Sequence, residues 1–236
     1  MHPARVLGDV AAESFVHAGY DLEAAAILLC ESDGTPEEVD EEIGRMREVL
    51  AACGATAMRV SADEAERLRF WSGRKNAFPA SGRISPDYYC MDGTIPRRRV
   101  ADMLLAIQDM ERSFSLRCVN VFHAGDGNLH PLILFDANQP GELERAEAFG
   151  ARILETCVEM GGSITGEHGV GLEKIDSMCV QFSVAELEQF RALRRAFDPA
   201  EQLNPGKNIP SHARCAEYGK MHVRAGRLPF PDLPRF

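Results

Sequence analysis

The apolar positions fall into blocks and periods that divide the chain into elements. AAAILLCES (24–32) is an apolar block with polar flanks and predicts a buried strand. TPEEVDEEIGRMREVLAACG (35–54) switches to helical spacing. Thr35 is placed to cap this helix, Pro36 suits its first turn and Gly54 stops it. ATAMRV (55–60) returns to a short strand, and SADEAERLRFWSGRKNAF (61–78) predicts a second helix. A strand follows near DYYCMDGTIP (87–96), then a helix from about 96 to 113. SLRCVNVFH (115–123) and LHPLILFD (129–136) form a strand pair, and a long helix runs from about 140 to 160.

The order β-α-β-α-β-α-β-β-α predicts an α+β fold: a ferredoxin-like, largely antiparallel sheet with helices on one face. Beyond residue 160 the chain turns loop-rich, with a helix near 183–196, the segment FDPAEQLNPGKNIP, and a tail rich in Pro and Arg. The expected division is a truncated leader or linker over 1–20 and a main α+β domain over 21–160. A glycine-rich loop with a helical C-terminal segment follows over 161–210, and a tail over 211–236.

Composition changes this picture little. With 236 residues, 45% hydrophobic and 26% charged, the chain is long enough to bury a core. A net charge of −10 argues against a broad grip on nucleic acid or anionic lipid. The densest basic run, PRRRV (96–100), is short and reads as a solvated face or a subunit contact. Seven cysteines without a C-x-x-C pair suit free thiols in a reducing compartment. No apolar run reaches the roughly 18 residues of a membrane span, and the start, MHPARVLGDV, lacks the apolar core of a signal peptide. The expected location is the cytoplasm.

Two segments carry candidate chemistry. VFHAGDGNLHP (121–131) sets two histidines on either side of Asp126-Gly127, a strong signal for a two-residue hairpin turn. Such a turn places His123 directly opposite His130, with Cβ atoms about 5 Å apart, on the face that continues as Val119, Val121, Leu132 and Leu134. Two imidazoles so placed can share one metal ion. Alone, they suit somewhat better a cross-strand pair at the wet end of a sheet. GGSITGEHGVG (161–171) adds Glu167 and His168 among glycines that permit close backbone approach. It reads as a flexible connector or as a site loop, and the apolar Ile164 and Val170 favour the loop. Two His and one carboxylate form a ligand set with open positions, and His168 beside them is available as a base.

HAGDGNLH, GGSITGEHGVG and FDPAEQLNPGKNIP together resemble the C-terminal half of FAD-linked 2-hydroxyacid oxidases and dehydrogenases, of the vanillyl-alcohol oxidase superfamily. WSGRKNAFPASGRISPDYYCMDGTIPR (71–97) is most similar to the FAD-linked subunits of bacterial glycolate oxidases. The resemblance implies that His123, His130 and Glu167 hold a divalent ion of zinc or manganese type. It implies that His168 takes the substrate hydroxyl proton while hydride leaves the α-carbon for FAD, and that Arg74 grips the substrate carboxylate. A 2-hydroxy acid can chelate such an ion, which lowers its hydroxyl pKa, and arginine offers a planar fork for a carboxylate. Unaided, Arg74 reads as a charge on a helix surface. Asn204, in LNPGK, is implied as a contact near the flavin ring; by itself NPGK is a Pro-Gly turn.

Relatives acting on 2-hydroxyglutarate have Asn where this chain has Leu132, and Thr and Lys where it has Phe78 and Cys90. The resemblance therefore points to a small monocarboxylate such as glycolate or D-lactate. It also implies a preceding flavin-binding domain of on the order of 200 residues, since no glycine-rich pyrophosphate loop is evident here. The chain is expected to need a flavin-binding polypeptide and to be inactive alone. Companion glycolate oxidase subunits and loose attachment at the inner membrane belong to the same implication, with no nucleic-acid partner. Competing readings are D-lactate dehydrogenase activity, an inactive metal-binding or interaction fragment, and a stand-alone metallohydrolase. The last lacks a second activating carboxylate.

Overall fold

The computed structural model describes residues 17–21 and 23–210. Most of the leader expected over 1–20 and the whole tail expected over 211–236 lie outside these residues. The chain divides after Ile84 into two compact units.

The first unit holds two helices, α1 (Pro36–Ala52) and α2 (Glu64–Ser81). Local signals fix both starts. At α1, Thr35 accepts from the Glu38 backbone N–H while the Glu38 side chain accepts from that of Thr35, a reciprocal box with Pro36 in the first turn. At α2, Asp63 accepts from Glu66 N–H. The two strands expected here do not form. Residues 24–32 and 55–60 are irregular, with Leu28 55% and Val60 42% exposed. An apolar run registers a tendency toward burial, whereas a strand also needs a neighbour for its backbone N–H and C=O groups. Neither run has a strand neighbour among the described residues.

The second unit is an antiparallel sheet with helices on one face. Its elements are β1 (Asp87–Cys90), β2 (Gly93–Thr94), a 3-10 turn at Arg97–Arg99 and α3 (Val100–Phe114). They continue as β3 (Arg117–His123), β4 (Asn128–Phe135), α4 (Glu142–Glu159), α5 (Met178–Gln181) and α6 (Val184–Phe197). β4 is central. It pairs with β1 and β2 along one edge, as in Cys90↔Leu132 and Gly93↔Leu129, and with β3 along the other.

Alternation sorts the side chains of the sheet. Cys118, Leu129, Ile133 and Phe135 face a core with Met103 and Ile107 of α3 and Phe149, Ile153 and Cys157 of α4. Phe114 stacks on Phe149 with ring centroids 5.1 Å apart. The opposite face carries Val119, Val121, His130, Leu132 and Leu134, all buried. The expected α+β architecture is thus observed, with a loop-rich, helical C-terminal segment whose last helix, α6, opens on a Ser183–Glu186 capping box. Cys30, Cys53, Cys90, Cys118 and Cys157 carry free thiols. Cys179 departs from the free-thiol expectation, being disulfide-bonded. Among the described residues, no helix is long and apolar enough to cross a membrane.

Candidate metal centre

The hairpin brings the two histidines together by a different register from the one expected. His123 pairs with Asn128, and His130 with Val121. The loop therefore contains four residues, 124–127, closed by Gly127 N–H donating to His123 C=O at 3.0 Å. A two-residue turn at Asp126-Gly127 needs positive φ at both positions, and only Gly127 has it, at +80°. Asp126 instead accepts from Asn128 N–H at 3.1 Å, a local turn of its own. The register moves by two, an even number, so both imidazoles keep the same face. They meet diagonally, with ring centroids 5.4 Å apart and planes at 84°.

Gly127 is also where the hairpin passes close to the chain after β2. A Cβ there would lie 2.1 Å from the Ile95 carbonyl oxygen, which sits beside the hydrogen bond from Ile95 N–H to Gly127 C=O. Gly127→Ala is expected to cost about 2 kcal/mol or more, from left-handed strain plus the clash. Denaturant unfolding checks it, and a variant as stable as the parent refutes this account of the loop.

The glycine-rich segment supplies the carboxylate. Ser163 bridges to Thr94, anchoring the segment to β2. At Gly166 the backbone passes so near β4 that a Cβ would lie 2.3 Å from Asn128 Oδ1. The next residue, Glu167, places Oε1 at 2.9 Å from His130 Nε2 and at 3.9 Å from His123 Nε2. His168 Nε2 also lies 3.9 Å from Oε1, and its ring stacks on His130 at 5.2 Å. Three imidazoles thus converge on one carboxylate oxygen. Ligand atoms bound at about 2.0–2.1 Å to one tetrahedral ion are roughly 3.4 Å apart, within the 4.8 Å that encloses the His123, His130 and Glu167 donor atoms.

The His130 side chain is only 4% exposed, against 54% for Glu167. Burial pulls the His130 imidazole below its ordinary pKa, Glu167 opposing and His168 adding to the effect. Neutral imidazole is the form that ligates a metal. A second grouping, Asp92 with His130 and His168, also has its donor atoms within 4.8 Å of one another. Asp92, however, is already engaged by Thr165, Lys174 and three backbone N–H groups. Burial alone would raise its carboxyl, but the donors, led by His168 N–H, hold it well below the usual carboxylate range. Glu167 is the carboxylate with capacity to spare.

Two other expected site residues have their own local settings. Arg74 lies on α2 in the first unit. Asn204 occupies the left-handed region, at φ +47°, and its C=O accepts from Arg194 at 2.8 Å. Asp92 and Lys174 were not anticipated. The available signal was a lone acid inside the apolar stretch YYCMDGTIP, which periodicity does not register.

Residues 6–208 match the family of FAD linked oxidases, C-terminal domain. The chain is 62% identical over 226 residues to glycolate oxidase subunit GlcD of Escherichia coli K12, covering 96% of this chain and 45% of that protein. It is 35% identical to GlcD of Bacillus subtilis, covering 86% of this chain and 43% of that one. It is 27% identical to the mitochondrial D-lactate dehydrogenase [cytochrome] of Arabidopsis thaliana, over 82% of this chain and 35% of the relative. The chain thus spans less than half the length of these relatives. Among solved structures, 4-ethylphenol oxidase from Gulosibacter chungangensis, in its isoeugenol complex, shares the fold with a TM-score of 0.54 at 16% identity. That likeness covers 76% of this chain and 38% of the oxidase. A match running through both the hairpin and the glycine-rich loop, with two GlcD relatives above 30% identity, shows that the chain belongs to the FAD-linked oxidases, as a C-terminal domain of that family.

Proposed function

We propose that the chain is the substrate- and metal-binding part of an FAD-dependent 2-hydroxyacid oxidoreductase of the glycolate oxidase type, working with FAD held by a flavin-binding domain or polypeptide. The observation that carries this reading is the convergence of His123, His130 and His168 on Glu167. His123, His130 and Glu167 would hold a divalent ion of zinc or manganese type. Bound there, the ion supplies Lewis-acid polarisation, and FAD supplies the acceptor for hydride from the α-carbon.

The chain's own residues handle the proton and the fit. His168 stands beside the ligand set, half exposed, and its Nε2 takes the proton from the α-hydroxyl. Cys90 lies directly across from Leu132, two residues along from His130 on the same face of β4. Burial pushes the Cys90 thiol up to about 11, so it stays neutral. With an apolar side chain beside it, this stretch of wall offers no charge to a second carboxylate, which favours glycolate or D-lactate. Arg74 and Asn204 keep the parts that the resemblance gives them, a grip on the substrate carboxylate and a contact near the flavin ring; the cage geometry does not bear on either. Companion subunits and a cytoplasmic location with loose membrane attachment follow from the same resemblance.

The test is to combine the purified chain with a flavin-binding polypeptide of the family and measure kcat/KM. Glycolate or D-lactate is expected to exceed 2-hydroxyglutarate by about 10–100-fold, since an unpaired buried carboxylate costs roughly 1–3 kcal/mol. The chain alone is expected to carry a divalent ion and no flavin. Stoichiometric FAD on the isolated chain, or a preference for the dicarboxylate, would refute the proposal.

A further inference from the structure

Asp92 sits between β1 and β2, wholly buried, and its side chain organises the loop that carries Glu167 and His168. Oδ2 accepts from Thr165 Oγ1 at 2.8 Å, His168 N–H at 2.9 Å and Gly166 N–H at 3.1 Å, and Oδ1 accepts from Glu167 N–H at 3.2 Å. Lys174, 3% exposed, completes the set. Its Nζ donates to Oδ2 at 3.0 Å and to the Asp92 carbonyl at 2.8 Å. Three successive backbone N–H groups therefore point at one carboxylate, an anion nest whose anion belongs to the chain.

A buried ion pair is weak support for stability, because desolvation offsets its attraction. What it does supply is direction. The backbone of residues 166–168 is hung from a single side chain, and this fixes the origin from which the Glu167 and His168 side chains reach over His130.

We propose that the Asp92–Lys174 pair is a positioning device for the metal cage, so that affinity for the ion depends on two buried residues that do not bind it. The inference rests on the metal reading of the His123, His130 and Glu167 cluster. Partners behind the ligands typically change metal affinity by about 10–100-fold when removed, and Asp92 acts on the backbone of a ligand and of the base beside it.

The test compares the full chain with Asp92→Asn/Lys174→Met, which removes both charges together and avoids stranding one of them. Two readouts are used. Titration of the metal-free protein with Co(II), followed by its visible absorption, is expected to show affinity weakened by about 10–100-fold and a changed spectrum in the variant. Hydrogen exchange at the amides of residues 166–168, in metal-free protein, is expected to accelerate by at least about tenfold while the sheet stays protected. A folded variant with parental Co(II) affinity and parental exchange overturns the inference. If the parent chain takes up no Co(II), the metal reading fails, and the exchange measurement still decides whether Asp92 holds the loop. Should the double variant not fold, Asp92→Glu keeps the charge but lengthens the arm. It is expected to weaken Co(II) binding by several-fold, and unchanged binding in it counts equally against the proposal.

Discussion

If His123, His130 and Glu167 hold a divalent ion as proposed, His130→Ala is expected to strip it from the chain. Structural zinc sites contribute about 10–16 kcal/mol through four ligands, or roughly 3 kcal/mol for each. At about 1.4 kcal/mol per tenfold, losing one ligand weakens binding on the order of 100-fold. His130 is the ligand for which this value applies most fully. Its side chain is 4% exposed, on the central strand, and its Nε2 already lies 2.9 Å from Glu167. Little rearrangement is needed to make it a ligand. His123, 48% exposed at the end of β3, has a looser hold, so His123→Ala should lose less. Metal analysis after dialysis against a weak chelator, with circular dichroism to show that the sheet persists, checks both. Full metal content in a folded His130→Ala protein would remove the cage from the account.

The contrast between these two histidines also marks what the sequence could and could not say. Alternation placed them on one face with Val119, Val121, Leu132 and Leu134, and they are there, because strand periodicity is a local property that survives an error in the turn. Register was not legible. Asp-Gly favours the two-residue turn, yet Asp126 keeps ordinary φ and turns on its own side chain, giving a four-residue loop. Helix starts read well for the same local reason, as at Thr35 and Ser183, where a hydroxyl and a carboxylate three residues on close a box. The strands expected at 24–32 and 55–60 failed because pairing depends on what lies alongside, which an apolar run does not reveal.

At the site, Glu167 and His168 announced themselves through their glycines. Gly166 is required by the approach of Asn128, so that signal was physical. Asp92 and Lys174 gave no such sign. Each is a charge within an otherwise unremarkable segment, and their meaning lies in a contact spanning 82 positions of sequence. Long-range polar contacts of this kind follow from the fold rather than precede it.

His168→Ala should separate chemistry from binding. With the chain joined to the flavin-binding polypeptide proposed above, kcat is expected to fall by about 10²–10⁴-fold, the range for loss of a positioned general base, while KM and metal content change little. The expected split rests on which element supports each imidazole. His168 is stacked on His130 at 5.2 Å, beside the proposed ligand set. Its Nε2 stands 3.9 Å from Glu167 Oε1, half exposed, as that of His123 does, so distance does not separate these two. His130 and His123 belong to one hairpin, which gives the two proposed ligands a common support, while His168 rides on the loop whose backbone Asp92 holds. The opposite result is equally informative. If His168→Ala loses the ion as completely as His130→Ala, the third imidazole is a ligand, and the substrate proton must leave by another group.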